Sequence, residues 1–176
     1  FSIYANKGVY NAPMMVTKIE DKYGNVLANF YPESREVITE NTAFLMANLL
    51  QGVVDEGTGR RLRFRYGFKN QIGGKTGTTQ NHSDGRFIGI TPDLAGGVWV
   101  GAEDRSIHFQ NLANGQGASM ALPIWALFMQ KVYADKSLAV PQSDFQKPNG
   151  VNHVLDCGDA DREGMTYYDS SDEIFD

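Results

Sequence analysis

The spacing of apolar positions changes several times along the chain. Met14 to Ile19 and Val26 to Tyr31 are short apolar-rich runs flanking Asp21-Lys22-Tyr23-Gly24-Asn25, whose residues tolerate tight-turn dihedrals, so the pair predicts a hairpin. From Thr39 the spacing lengthens: Leu45, Leu49 and Val53 recur every four residues, with Met46 and Leu50 beside them. This predicts a helix from about Glu40 to Asp55, capped by Thr39 and ended by Gly57 in a left-handed conformation. Gly57-Thr58-Gly59 and the arginine cluster from Arg60 to Arg65 read as a loop leading to a strand over Asn70 to Thr79. After the polar turn Gln80 to Gly85, the runs Arg86 to Thr91 and Ala95 to Gly101, parted by Pro92-Asp93-Leu94, complete an antiparallel meander. A last helix is predicted over Ala118 to Ala134. There Ile124, Leu127, Phe128 and Val132 follow a helical period and Trp125 and Met129 widen the apolar face, with Pro123 in the first turns or kinking them.

Length and composition bound this picture. With 176 residues and 41% apolar content the chain can bury one core. Residues 1–140 read as one domain and 141–176 as an acidic C-terminal tail or linker, loosely held and peripheral to function. Most of the net charge of -5 sits there: residues 144–176 hold nine acidic side chains against Lys147 and Arg162, leaving the rest close to neutral. A near-neutral folded part argues against a nucleic-acid partner, and the arginine cluster reads as a solvated loop. Cys157 is the single cysteine, so no internal disulfide is possible, and His82, His108 and His153 lie outside any ligand-spaced motif; no metal or other cofactor is expected. The longest run without a strongly polar residue, Ala121 to Met129, is far short of a membrane span of about 20 residues. The opening Phe1-Ser2-Ile3-Tyr4 lacks an initiator methionine and a signal core, so Phe1 reads as a boundary left by processing or cutting, with any export signal or anchor upstream.

The candidate chemistry lies in Gly73-Gly74-Lys75-Thr76-Gly77-Thr78-Thr79. A phosphate-binding loop, G-x-x-x-x-G-K-[ST], fails in register, because it needs glycine where Lys69 stands and a helix where Gly77-Thr78-Thr79 follows. The bland alternative is a polar edge strand in which lysine discourages edge pairing. K-T-G followed by hydroxyl residues is one of three signatures of the penicillin-recognising serine acyltransferases. The other two are absent: no serine of this chain has lysine three positions on, as S-x-x-K requires, or asparagine two positions on, as S-x-N requires. The nucleophile of such a site would lie elsewhere.

The flanks strengthen the resemblance. Ala5-Asn6-Lys7-Gly8-Val9, then Gly52-Val53-Val54 with Gly57-Thr58-Gly59, then the K-T-G strand with Phe87 to Pro92 and Gly97 to Gly101, and finally Ala121-Leu122-Pro123-Ile124-Trp125 follow in order. Over residues 1–134 the chain resembles the C-terminal half of the transpeptidase domain of class A, bifunctional penicillin-binding proteins. Two departures stand out: Lys7 replaces the usual second glycine, and Gly85-Arg86 stands where Ala-Trp is common. The resemblance implies an α+β fold, an antiparallel sheet flanked by helices, as part of the β-lactamase-like penicillin-binding transpeptidase fold.

It also implies a function. In this family a serine attacks the penultimate D-alanine carbonyl of a peptidoglycan stem peptide, releases the last D-alanine and passes the acyl group to an amine of a neighbouring strand; β-lactams acylate the same serine. Strand alternation places Thr76 and Thr78 on one face to receive the substrate carboxylate and Lys75 on the other. Gly77 permits close approach of an added peptide strand, Thr79 extends the substrate-binding stretch, and by resemblance the Thr78 N–H supplies half of an oxyanion hole. Lys75 and Thr78 are thus the catalytic candidates, and Thr76, Gly77, Thr78 and Thr79 the substrate-binding ones. The implied partners are stem peptides, β-lactams and the upstream half of the same domain. The implied place is the outer, periplasmic face of the cytoplasmic membrane, reached through an upstream anchor, with a glycosyltransferase domain also upstream. The isolated chain is expected to be inactive and to expose an apolar patch where the other half belongs. A non-catalytic peptidoglycan- or partner-binding module of the same fold is the alternative, and a β-lactamase a third reading that the synthase-like flanks disfavour.

Overall fold

In the computed structural model, which describes residues 1–151, helices and antiparallel strands combine as the α+β reading anticipates. The one-turn helix α1 (Ser2–Ala5) leads into β1 (Val9–Asn11); β2 (Lys18–Glu20) and β3 (Val26–Asn29) pair as a hairpin, and β4 (Ser34–Glu36) returns to pair with β1. There follow α2 (Glu40–Asp55), the one-turn α3 (Arg61–Phe64) and the meander β5 (Gly73–Thr78), β6 (Gly85–Ile90) and β7 (Ala95–Val100). Two further single turns, α4 (Leu112–Gly115) and α5 (Gly117–Met120), precede α6 (Leu122–Ala134).

The hairpin forms where its turn chemistry demands. The Asp21 carboxylate accepts the backbone N–H groups of Tyr23 at 2.8 Å and Asn25 at 2.9 Å, and Gly24 takes φ 85°. Its strands are shorter than the apolar runs and mostly exposed. The β1–β4 pair was not predicted, since strands of three residues are too short to display a period.

Helix α2 spans the predicted residues, and Thr39 Oγ1 accepts the Thr42 N–H at 3.3 Å. Its buried face differs from the one predicted: Ala43, Ala47, Leu50, Gln51 and Val54 are buried, whereas Leu49 is exposed and Leu45 and Val53 are half-buried. Small alanines win because the helix lies close on β5, where Gly73 faces the Ala47 carbonyl and Leu50 Cβ. Gly57 is not left-handed; a Cβ there would meet Val53 Cα and carbonyl oxygen at 2.9 Å, so glycine is needed for close approach. Arg61 and Arg63 are clamps rather than parts of a solvated loop. Arg61 Nη1 donates to the Ala118 carbonyl and Ser119 Oγ, both at 2.9 Å. Arg63 binds Asp55 Oδ1 at 2.7 Å and the Asn70 carbonyl at 2.6 Å.

The predicted last helix is divided by a turn at Ala121, with Pro123 inside the first turn of α6, where its missing N–H has no intrahelical partner to lose. Here too the apolar face is corrected. Leu122, Trp125, Ala126, Met129 and Val132 are buried, while Ile124, Leu127 and Phe128 are 50%, 54% and 60% exposed and form a row on the outer side. Trp125 lies over Gly89 and Gly96, cross-strand partners in β6 and β7; a Cβ on Gly89 would strike its indole. Phe87 packs on the same ring with centroids 5.4 Å apart, edge to face, and Phe68 closes the cluster at 6.1 Å.

The first residues of the acidic tail are held against the body. Phe145 N–H donates to Gln71 Oε1 at 2.8 Å, Ser143 Oγ to Asp93 Oδ2 at 2.6 Å, and Val151 is buried. The sequence expectation for this stretch was a loose one; Cys157 and His153 lie outside the described residues. Among the described residues no helix is long and apolar enough to cross a membrane, and no cluster of His, Cys, Asp and Glu could hold a metal ion.

Candidate active site

Strand β5 carries the K-T-G residues and lies at one edge of the β5–β6–β7 sheet. Register assigns its backbone directions. Thr79 N–H donates inward to the Asp84 carbonyl at 3.1 Å, continuing the pairing Thr78↔Gly85, Gly77↔Arg86 and Lys75↔Ile88. Because N–H and C=O groups alternate along a strand, those of Gly77 and Lys75 also point at β6, and those of Thr76 and Thr78 point out of the open edge. The Thr78 N–H is therefore directed where an added peptide strand would lie.

Side chains alternate about the same edge. Lys75 is exposed, on the face that also carries Arg86 and Ile88, and its ammonium curls over the edge to donate to the Thr76 carbonyl at 3.0 Å. Thr76 and Thr78 share the other face, as strand alternation predicts. Their hydroxyls are engaged: Thr76 Oγ1 lies 2.8 Å from Thr58 Oγ1, and Thr78 Oγ1 accepts the Gly117 N–H at 2.9 Å. A hydroxyl that accepts one bond keeps its proton to donate, so Thr78 remains able to bond an incoming oxygen. Gly117 sits so close over the strands that a Cβ would meet the Gly77 and Arg86 carbonyls. Thr79 belongs to the turn rather than the edge: its Oγ1 accepts the Asp84 N–H at 2.9 Å and lies 3.1 Å from Ser83 Oγ.

Asp84 anchors this end of the sheet. Its nearly buried carboxylate accepts Trp99 Nε1–H at 2.9 Å and Ser83 Oγ–H at 3.1 Å, with Arg105 Nε 3.9 Å away. The bond from Trp99 above all, helped by Ser83 and the positive charges of Arg105 and Arg86, holds its pKa below the usual carboxylate value. His82, in the same turn, takes φ 59°, a left-handed conformation that costs a non-glycine residue about 1–2 kcal/mol. Thr78, Thr79, Gln80, Asn81 and Arg105 line an open depression beyond the strand end.

The structure thus brings Lys75, Thr76, Gly77 and Thr78 together along one edge and sets Thr79 apart in the adjoining turn. Sequence reasoning missed Thr58, Asp84, Arg105 and Gly117. Thr58 alone carried a signal, as the centre of the Gly57-Thr58-Gly59 loop; the others meet the site through contacts distant in sequence.

Comparison with known proteins shows the family of the chain. The sequence profile of the penicillin binding protein transpeptidase domain matches residues 1–106. Penicillin-binding protein 1A of Aquifex aeolicus is 33% identical over 148 residues, covering 84% of this chain and 19% of that protein. Penicillin-binding protein 1A of Clostridium acetobutylicum is 32% identical over 157 residues, covering 89% of this chain and 18% of that protein. The chain therefore spans about a fifth of the length of these relatives. Among solved structures, penicillin-binding protein 1A from Haemophilus influenzae superposes with a TM-score of 0.71 at 24% identity, over 84% of this chain and 27% of that one, a likeness of fold. With the family profile covering more than half of its residues, the chain belongs to the penicillin-binding protein transpeptidase family.

Proposed function

We propose that this chain supplies the K-T-G wall of a serine D,D-transpeptidase that cross-links peptidoglycan stem peptides and is acylated by β-lactams, the nucleophile and its base being contributed by the upstream half of the domain. In this reading residues 1–140 are the C-terminal part of the transpeptidase domain and 141–176 an acidic extension. The enzyme works on the outer face of the cytoplasmic membrane, tethered by an upstream anchor and accompanied by a glycosyltransferase domain. The observation that carries the reading is the open edge of β5, to which the Thr78 N–H is directed and over which the Lys75 ammonium reaches the Thr76 carbonyl.

The chemistry follows from that edge. A stem peptide docks as an added strand, with its terminal carboxylate held by Lys75 and the hydroxyls of Thr76 and Thr78. The carbonyl under attack then accepts from the Thr78 N–H, which stabilises the oxyanion; loss of one such donor costs about a hundred- to a thousandfold in rate. The serine that forms the ester lies outside this chain, which has no serine followed by lysine one helical turn on. The exposed row Ile124, Leu127 and Phe128 and the unpaired outer edge of β7 are the surfaces on which the other half packs.

Incubation of the full-length protein with a peptide ending in D-alanyl-D-alanine tests the reading. It predicts release of D-alanine that penicillin abolishes. Binding of the peptide without release would favour a non-catalytic module, and rapid hydrolysis of the penicillin itself would favour a β-lactamase.

A further inference from the structure

The depression beyond the strand end shares Thr78 with the edge chemistry above but extends past it, and it holds an unusual combination. Four of its five lining residues, Thr78, Thr79, Gln80 and Asn81, are uncharged and polar, and the fifth is the guanidinium of Arg105. Arg105 is 77% exposed along its side chain; among the described residues it forms one ion pair, a long one of 3.9 Å to Asp84, whose oxygens also accept from Trp99 and Ser83. The loop is nonetheless positioned: Asn81 Nδ2 donates to the Arg105 carbonyl at 3.3 Å, and the Asp104 carboxylate accepts the Ser106 N–H at 2.8 Å. The turn facing it contains His82 in its strained left-handed conformation, a feature that concentrates at ligand sites.

The direction of the docked peptide brings its earlier residues here, an argument that rests on the function proposed above. With the terminal carboxylate at Lys75 and Thr76 and the next carbonyl at the Thr78 N–H, the peptide runs antiparallel to β5. The residue preceding the two D-alanines then passes Thr79, Gln80 and Asn81, about 3.3 Å further along per residue. We propose that Arg105 is a specificity-determining residue that binds a side-chain carboxylate on the stem residue immediately before D-alanyl-D-alanine. Guanidinium and carboxylate match as a two-pronged pair, whereas the carboxamide of the same residue offers no charge and one acceptor. The loop of Arg105 thus selects stem peptides that keep this carboxylate free over those in which it is amidated.

The test uses the full-length protein and two synthetic peptides ending in Xaa-D-Ala-D-Ala, identical except that Xaa carries a side-chain carboxylate in one and its carboxamide in the other. The expected result is a kcat/KM about ten- to a hundredfold higher for the carboxylate peptide, a preference abolished in Arg105→Ala and partly kept in Arg105→Lys. A role confined to holding the loop would lower both peptides alike and leave their ratio unchanged, which overturns the proposal, as does equal use of the two peptides by the unaltered protein. Penicillin labelling of the unaltered protein separates the two levels: labelling without a peptide preference refutes the Arg105 subsite alone, and absence of labelling refutes the transpeptidase reading on which it stands.

Discussion

Alternate residues of the same three strands build two opposite faces of the β5–β6–β7 sheet. On one, Gly74, Phe87, Gly89 and Gly96 are covered by α2, α5 and α6, and the residues are glycine wherever an indole, a helix start or a phenyl ring comes close. On the other, Lys75, Arg86 and Trp99 stand beyond the part that α2 covers, and among the described residues neither cation forms an ion pair, Arg86 acting on Asp84 only through its charge. The first face gains stability from close packing; the second keeps its charged groups available. The two-residue period of the strand thus separates the close-packed glycines from the cations, with Thr76 and Thr78 on the first face at its open edge, and changes in the packing and at Lys75 should register in different measurements.

Trp125→Ala should have the largest effect. It removes the ring on which Phe68 and Phe87 pack and leaves Gly89 and Gly96 facing a cavity, so a loss of about 3–5 kcal/mol is expected in urea unfolding. Lys75→Ala, on the open face, should lower β-lactam acylation of the full-length protein by about ten- to a hundredfold with little change in unfolding midpoint; Thr78→Val, on the covered face, should lower acylation similarly but also leave the Gly117 N–H without its acceptor and lower the midpoint, while Lys69→Ala leaves acylation nearly unchanged. Equal losses from Lys75→Ala and Lys69→Ala would erase the distinction between the faces.

Asp84 joins the two faces and makes the difference depend on pH. Its pKa is lowered in the folded state, so its stabilisation is complete above the unfolded carboxylate value and is lost as pH falls through the folded one. Unfolding midpoints of the native protein should therefore fall below about pH 4, and Asp84→Asn should flatten that acid limb while weakening the protein at neutral pH. The smallest effect is expected at Lys7, which takes φ 52°, a left-handed conformation that favours glycine. Its ion pair with Glu40, 3.1 Å long and exposed, contributes little, so Lys7→Gly should stabilise by about 1 kcal/mol.

The strand proposed to carry the chemistry was legible because its Lys75-Thr76-Gly77 sequence is local and matches a motif without reference to burial. The ends of α2 were legible for a similar reason, since Thr39 is a cap whose effect is local. The buried faces of α2 and α6 were not. Both helices carry large apolar residues on more than one side, so periodicity alone could not choose between Leu49 and Leu50, or between Leu127 and Trp125; the choice falls to the glycines of the sheet, far away in sequence. The paired strands β1 and β4 were too short to show alternation. Asp84 and Arg105 escaped notice because their meaning arises from partners across the turn, Trp99 and the end of β5.

If this chain is one wall of a penicillin-binding site, the serine that penicillin acylates lies outside it. Mapping the penicillin adduct by mass spectrometry on the full-length protein, with the isolated 176-residue chain treated in parallel, addresses it most directly. One adduct is expected on a serine of an S-x-x-K segment outside these residues, with the isolated chain unlabelled. An adduct on any serine within this chain would contradict it.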